Sequence, residues 1–278
     1  MAQDNIKKAA VIGYPVAHSL SPRLHGFWLK KYGIAGEYSA VEVKPEELEN
    51  FIKNMSANGY SGVNVTIPHK EAVIPFLDGI DKYARAIGAV NTIIVDDGKL
   101  YGTNTDAEGF YQNIESHIIG RKKAVVLGAG GAAKAVIFAL ELLEFEEIII
   151  TNRTCERALM LQHLYSSSSQ IVDWEKRSEI LADADLLVNT TSLGMTGKEP
   201  LDIDLSRLPK TALVTDIVYK PLITPLLAQA QARGNPTVDG LGMLLHQAVP
   251  AFAAWFGDVP VGDVPVVDDE LRDYVLGK

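Results

Sequence analysis

The run Val125-Val126-Leu127-Gly128-Ala129-Gly130-Gly131-Ala132-Ala133 constrains the fold more than any other stretch of the chain. A β-branched apolar segment stops at a cluster of glycines, and a helix-forming segment, Ala132 to Leu143, follows at once. In a turn of this kind Gly128 permits the sharp reversal, Gly130 lets a backbone approach a phosphate, and Ala133 is small enough for the helix to pack on the strand. The new helix aims its free N–H groups and positive dipole end at the turn, where a pyrophosphate can sit. Glycines alone also fit an ordinary βα connection. The second strand, Glu147 to Asn152, follows at βαβ spacing and favours a dinucleotide site.

The remaining elements alternate in the same way. Strand candidates at Glu147–Thr151, Asp185–Asn189 and Leu213–Asp216 are separated by segments read as helices, with one more helix at Pro225–Arg233. Alternation of this sort predicts a doubly wound parallel sheet of Rossmann type. Val238 begins one more short strand, and Gly240-Leu241-Gly242 opens a long apolar helix to about Trp255. Before the glycine turn the order is a strand (Ala9–Gly13), a helix (Pro22–Tyr32) with Ser21 as its N-cap, and a strand (Glu37–Val43). There follow a helix (Pro45–Ala57), a strand (Gly62–Ile67) stopped by Pro68, and short helices at Lys70–Pro75 and Asp81–Ile87. Ala89–Val95 and Lys99–Tyr101 form a hairpin turning at Asp97-Gly98, and a helix from Thr105 to Ile119 leads to the glycine strand. Two α/β domains are therefore expected. One comprises residues 1–105 and 240–278, the C-terminal helices returning to it, and binds substrate; the other, 106–239, binds the dinucleotide. A final helix is expected from Asp268.

Composition excludes several classes. The net charge is −9 and there is no Lys/Arg-rich run, which argues against nucleic acid or an anionic membrane as partner. No apolar run has the length of a membrane span or a signal-peptide core, so a cytoplasmic protein is expected. The one cysteine, Cys155, leaves no internal disulfide. No histidine pair has metal-ligand spacing, no G-x-S-x-G elbow is present, and no metal is expected.

The choice of nucleotide falls on the end of the second strand. Domains that hold the ribose 2′-hydroxyl of NAD usually place an acid about 20 residues past the glycines. Here the chain reads Thr151-Asn152-Arg153-Thr154. Arg153 carries a planar, permanently charged fork suited to a 2′-phosphate, and Arg157 lies one helical turn on. NADP is the expected cofactor, against the plainer reading of Arg153 as a surface charge.

Polar clusters in the first domain sit at strand ends and helix starts. Singly, Asp106 reads as an N-cap, Asn91 as a turn residue and Lys70 as a solvated charge. Together they make a site able to reduce a ketone, with Lys70 as proton donor and Asp106 fixing its position. Ser19, Ser21, Thr66 and Asn91 are donors and acceptors that a polyhydroxylated acid requires.

The motifs taken together resemble the shikimate dehydrogenase family from Val11 to about Phe256. The resemblance is carried by Gly13-Tyr14-Pro15-Val16-Ala17-His18-Ser19-Leu20-Ser21-Pro22, Asn64-Val65-Thr66-Ile67-Pro68-His69-Lys70, Gly88-Ala89-Val90-Asn91-Thr92 and Gly102-Thr103-Asn104-Thr105-Asp106. It continues through Gly128 to Ala132, Asn152-Arg153-Thr154 and Asp239 to Ala248. It implies NADPH-dependent, reversible reduction of 3-dehydroshikimate to shikimate, on the route to chorismate and the aromatic amino acids, by a monomer or homodimer. It implies Lys70 and Asp106 as the catalytic pair and Ser19 and Ser21 at the substrate carboxylate. Thr66, Asn91, Gln247 and Tyr219 would stand at its hydroxyls. Gly128, Ala129, Gly130, Gly131, Ala132, Asn152, Arg153, Thr154 and Arg157 would form the cofactor loops, with Ile217 and Gly240 beside the nicotinamide. Ala107 departs from a glycine common in the family, and the tail after Trp255 matches little. An NAD-using quinate/shikimate dehydrogenase and a non-catalytic ligand sensor on the same fold are the competing readings.

Overall fold

The computed structural model describes residues 6–164, 169–257 and 265–278. The opening Met1–Asn5 and, in the tail, Asp258 to Val264 lie outside them. The chain divides into two compact units, residues 1–105 with 245–278, and residues 106–244. Among the described residues no helix is long and apolar enough to cross a membrane.

The first unit contains β1 (Lys7–Gly13), α1 (Ser21–Lys31), β2 (Gly36–Glu42), α2 (Leu48–Lys53), β3 (Tyr60–Val65), α3 (His69–Ala72), β4 (Gly79–Ile80), α4 (Lys82–Ile87), β5 (Thr92–Asp96) and β6 (Lys99–Thr103). Its sheet runs in the order β2-β1-β3-β5-β6-β4. β1 is parallel to β2 and β3, β5 is antiparallel to β3, and β5 and β6 form the hairpin the sequence predicts. Asp97 and Gly98, at φ 47° and 78°, supply the two left-handed residues that a tight hairpin turn demands.

The second unit begins with α5 (Asp106–Ile114) and continues through β7 (Lys123–Leu127), α6 (Gly131–Leu142), β8 (Glu147–Thr151), α7 (Cys155–Leu164), β9 (Ser169–Ile171), β10 (Leu186–Asn189), β11 (Leu213–Asp216), α8 (Pro225–Arg233) and β12 (Thr237–Val238). The next helix, α9 (Leu241–Phe256), carries the chain back into the first unit, and α10 (Asp269–Leu276) ends it. The sheet order is β12-β11-β10-β7-β8-β9, every described pair parallel. This is the doubly wound arrangement, with its order reversing between β7 and β10. Val125, Val126, Leu127, Ile148, Ile150, Leu187 and Val188 are inaccessible or nearly so, as strands covered on both faces must be.

Several elements differ from the sequence expectation. Ser21 is not the N-cap of α1. Leu20 holds that place in an αR conformation, and the Ser21 N–H instead donates to Ser19 Oγ at 3.2 Å. The segment from Pro45 starts as a 3-10 turn and its α-helix ends at Lys53, because the chain tightens to i→i+3 bonds at Asn54 and Met55 and then turns at Gly59. The helix from Asp106 likewise gives way to a 3-10 turn at Glu115. Strands β4 and β9, only two and three residues long, carry too little alternation to be read. Between β9 and β10 there are only 3-10 turns, and no helix joins β10 to β11. Residues 190–212 contain Gly194 and Gly197 at positive φ together with Pro200 and Pro209, which break helical winding. Leu201, Ile203, Leu205 and Leu208 from this irregular stretch fill the core that a helix would have covered.

The first unit packs two cores against its sheet. One face carries Ile52, Met55, Val63, Val65 and Ile93. The other is aromatic. Trp255 lies where a side chain at Gly62 would collide with it, and its indole N–H donates to the Ile93 carbonyl at 2.9 Å. Gly62 is therefore required by the close approach of Trp255, not by a turn. His25 stacks on the Tyr38 ring at 4.0 Å between centroids and 10° between planes, with Phe252 at 5.9 Å. Fully buried, it makes no hydrogen bond of good geometry. Burial pushes its pKa down to about 3, with the Asn64 side chain pulling weakly the other way.

His25 therefore enters the folded state neutral. As pH falls below its ordinary value of 6.5, the unfolded chain takes up a proton that the native chain refuses until about pH 3. Stability is lost across that window at up to about 1.4 kcal/mol per pH unit from this residue. His25→Phe keeps the stacked ring and removes the titration. Its urea midpoint should fall less than that of the parent between pH 6.5 and pH 4, and parallel curves would show that His25 is not the source.

Candidate active site

In the first unit the polar residues predicted from sequence are wholly or partly withdrawn from solvent, and hydrogen bonds join Asn91 to Gln247. Ser21, Asn91 and Gln247 are buried, and Ser19, Thr66 and Lys70 are half-buried. Asn91 immediately precedes β5. Its amide donates to Thr105 Oγ1 at 2.9 Å and to Gln247 Oε1 at 3.4 Å, and its carbonyl oxygen accepts from the Thr105 N–H at 2.8 Å. Thr105 Oγ1 also reaches Gln247 Oε1 at 3.3 Å. Residues from the hairpin, the following loop and α9 are thus held to one another.

Thr66 and Lys70 flank a short turn after β3. The Thr66 N–H donates to Ile12 and the His69 N–H to the Thr66 carbonyl, both at 2.9 Å. The buried His69 ring donates through Nε2 to the Val43 carbonyl at 2.7 Å, and the Val90 N–H donates to the Lys70 carbonyl at 2.8 Å. These bonds tie the backbone of Lys70 on both sides, so its long side chain projects from a fixed base. Pro68 is the cap of α3 and has no N–H to satisfy.

In the second unit Asp106 is the first residue of α5 and is buried; Ala107, next to it, is a well-buried helical residue that suits the position. The glycine turn follows β7. Gly128 has φ 111°, and a Cβ there would sit 2.6 Å from Thr190 Oγ1, so the position is closed to other residues. Gly130 and Gly131 differ, because a Cβ at either would meet nothing within 4 Å. Gly130 is the N-cap of α6, no side chain caps the helix, and its first turn holds no acid. The leading N–H groups of α6 are thus free of side-chain competition, beside an empty space.

Asn152, Arg153 and Thr154 follow β8, the neighbour of β7, so they end at the same edge of the sheet as the glycine turn. Asn152 Nδ2 donates to the Thr154 carbonyl at 2.8 Å and shapes the loop, leaving Arg153 and, at the start of α7, Arg157 exposed. Ile217 and Gly240 touch one another. A Cβ on Gly240 would come within 2.5 Å of the Ile217 backbone. Tyr219 is half-buried on the same loop, and burial raises its phenol above the ordinary tyrosine value.

Two buried groups escaped the sequence reading. In the second unit, inaccessible Asp216 accepts from Thr224 Oγ1 at 2.7 Å, the Val218 N–H at 3.0 Å and Asn189 Nδ2 at 3.1 Å. Burial raises its carboxyl pKa and these three donors oppose the rise. The group clamps the loops after β10 and β11, where Ile217 and Tyr219 stand. In the first unit, Tyr38, Asn64 and Thr92 connect to Asn91. Asn64 and Thr92 belong to motifs of the family resemblance without a role of their own, and a local signal for either group is a polar residue at an apolar strand run, Asn64 in Val63-Asn64-Val65 and Asn189 after Leu187-Val188.

Known proteins align with this arrangement. Residues 11–93 match the shikimate dehydrogenase substrate binding domain, and residues 112–233 match the shikimate / quinate 5-dehydrogenase family. The NADP(+) shikimate dehydrogenase of Paramagnetospirillum magneticum is 53% identical over 96% of this chain and 97% of its own. The crystal structure of shikimate 5-dehydrogenase from Thermus thermophilus with NADP(H) and shikimate superposes with a TM-score of 0.86 at 37% identity, over 98% of this chain and 99% of that one. Quinate dehydrogenase from Corynebacterium glutamicum in complex with NAD reaches a TM-score of 0.90 at 30% identity, over 98% and 99%. With that degree of identity along nearly its whole length, the chain belongs to the shikimate dehydrogenase family.

Proposed function

We propose that this chain catalyses the reversible, NADPH-dependent reduction of 3-dehydroshikimate to shikimate, in the pathway to chorismate and the aromatic amino acids. The observation that carries the cofactor half is the sheet edge where an uncapped helix N-terminus stands beside a loop bearing two exposed arginines and no acid at the strand end. The open space at Gly130 and Gly131 fits a pyrophosphate, and Arg153 with Arg157 fits a 2′-phosphate. Gly128, Ala129, Gly130, Gly131, Ala132, Asn152, Arg153, Thr154 and Arg157 would hold NADP, with Ile217 and Gly240 beside its nicotinamide. When bound, the cofactor supplies the hydride.

The chain's own residues supply the rest. Lys70 holds the proton that the carbonyl oxygen takes as the ketone becomes an alcohol, and takes it back in the reverse direction. Asp106 orients the Lys70 ammonium. Ser19 and Ser21 bind the substrate carboxylate, and Thr66, Asn91, Tyr219 and Gln247 bind its hydroxyls. The connected bonds around Asn91 support this reading, since they fix donor and acceptor directions before the substrate arrives. We further infer a cytoplasmic monomer or homodimer; a net charge of −9 without a basic run supports a partner list free of nucleic acid and membrane.

A single assay of nicotinamide absorbance with shikimate or quinate, and NADP or NAD, tests the proposal. Turnover should be greatest with shikimate and NADP. Quinate with NAD as the better pair would reverse the substrate assignment, and no turnover with any pair would favour a sensor. Lys70→Ala should lower kcat by about a hundredfold or more, within the range of a lost acid/base group, and change shikimate affinity far less. Near-parental turnover would remove Lys70 from the chemistry. Arg153→Ala should weaken NADP by about tenfold or more, as expected for one charge-assisted contact, and leave NAD nearly unchanged. Equal effects on both cofactors would remove the 2′-phosphate assignment.

A further inference from the structure

Beneath the substrate residues of the first unit runs an unbroken line of hydrogen bonds. The Tyr38 hydroxyl donates to Asn64 Oδ1 at 2.6 Å. Asn64 Nδ2 donates to Thr92 Oγ1 at 3.1 Å and to the Asn91 carbonyl at 3.2 Å, and Thr92 Oγ1 donates to Asn91 Oδ1 at 3.0 Å. Asn91 then reaches Thr105 and Gln247. Asn64, Asn91, Thr92, Thr105 and Gln247 are all buried.

The topology explains how Tyr38 closes this line. Tyr38 on β2 lies opposite Ala9 of β1, and Asn64 on β3 lies opposite Val11 of β1. Side chains paired across parallel strands share a face, as do alternate residues of one strand. Tyr38 and Asn64 therefore point to the same side with β1 between them, and the small Ala9 lets the tyrosine reach over it. The ring is held flat against His25, whose other face belongs to the aromatic cluster of Phe252 and Trp255. Burial raises the phenol well above its ordinary value, so the hydroxyl stays a donor across the working pH range.

We propose that Tyr38 is a positioning residue: through its hydroxyl it holds Asn64, and through Asn64 the Asn91 and Gln247 amides, so that the hydroxyl-binding side of the substrate site is one rigid frame. The inference rests on the proposed substrate roles of Asn91 and Gln247. Tyr38 itself need not touch the substrate. Its contribution is geometric, and it should be realised in ground-state recognition and not in proton or hydride transfer.

Tyr38→Phe deletes one oxygen and keeps the stacked ring. It should raise KM for shikimate by about tenfold, as one lost buried hydrogen bond implies, with kcat and KM for NADP within about twofold. In a double-mutant cycle with Gln247→Ala, the two effects should not multiply, and the double variant should resemble Gln247→Ala alone. Asn64→Asp, which keeps the acceptor for Tyr38 but loses the amide donors, should repeat the KM rise one link further on, and it serves if Tyr38→Phe does not fold. Unchanged shikimate KM in both variants, or strictly multiplicative effects in the cycle, would overturn the inference. If Gln247→Ala itself leaves shikimate KM unchanged, the substrate assignment fails and the inference falls with it. A rise with Gln247→Ala but not with Tyr38→Phe sinks the inference alone.

Discussion

The Thr105 N–H donates to Asn91 Oδ1 at 2.8 Å, and much of the first unit's polar interior depends on that bond. It ties the residue before β5 to the residue before α5. The hairpin between them brings its own ends together, since β5 and β6 pair along their whole length. The side-chain bond then sets the direction of the chain as it leaves. The Asn91 carboxamide has one oxygen and one nitrogen, and both are used. An apolar replacement would leave the Thr105 N–H buried without this partner, at about 1–3 kcal/mol. That asymmetry makes a buried asparagine hard to replace although each bond contributes only about 1 kcal/mol net.

The second unit solves a parallel problem with a carboxylate. Asp216 ends β11 in full burial, where a charge is costly unless several donors converge on it. Thr224, Val218 and Asn189 supply those donors from two loops. Asn189 uses its remaining oxygen for the Thr191 N–H and hydroxyl, so the loop after β10 is drawn into the same cluster. Thr224 serves twice, as acceptor for the Leu227 N–H at the start of α8 and as donor to Asp216. The loops that carry Ile217 and Tyr219 are consequently braced from below.

Which of these features were legible in the sequence follows from how local they are. The glycine turn, the Asp97-Gly98 hairpin and the parallel strands of the second unit each declare themselves within a few residues. The motif residues Asn91 and Gln247 could be named in advance, but not that their side chains meet, because 156 positions separate them. Tyr38 left no signal at all. It sits on an edge strand with alternating exposure and looks like any half-buried aromatic residue. Its importance comes from a partner 26 residues away and from the alanine between them. Ser21 misled in the other direction. A serine before a proline satisfies every local rule for an N-cap, yet Leu20 takes that place and the helix begins with no side-chain cap. Flanking strands alone make residues 190–212 read as helical, and the glycines and prolines within that stretch oppose it.

The two units treat polar groups in opposite ways, and the difference matches what each must recognise. A phosphate is a strong, nearly spherical acceptor, so open donors at a helix start and exposed arginines suffice. The α6 N-terminus accordingly has no side-chain cap, and Arg153 and Arg157 stand in solvent. A hydroxylated ring offers weaker and more directional groups, which water imitates well. Discrimination among such compounds comes from buried partners that an ill-fitting ligand leaves unpaired. That penalty exists only if the partners cannot rotate to satisfy each other differently. Threading Tyr38, Asn64, Thr92, Asn91 and Gln247 on one line removes that freedom, since turning the Asn64 or Asn91 amide breaks bonds on both sides. The rigid interior of the first unit and the open helix end of the second thus answer to the same rule, that a binding group should be no freer than its ligand is ambiguous.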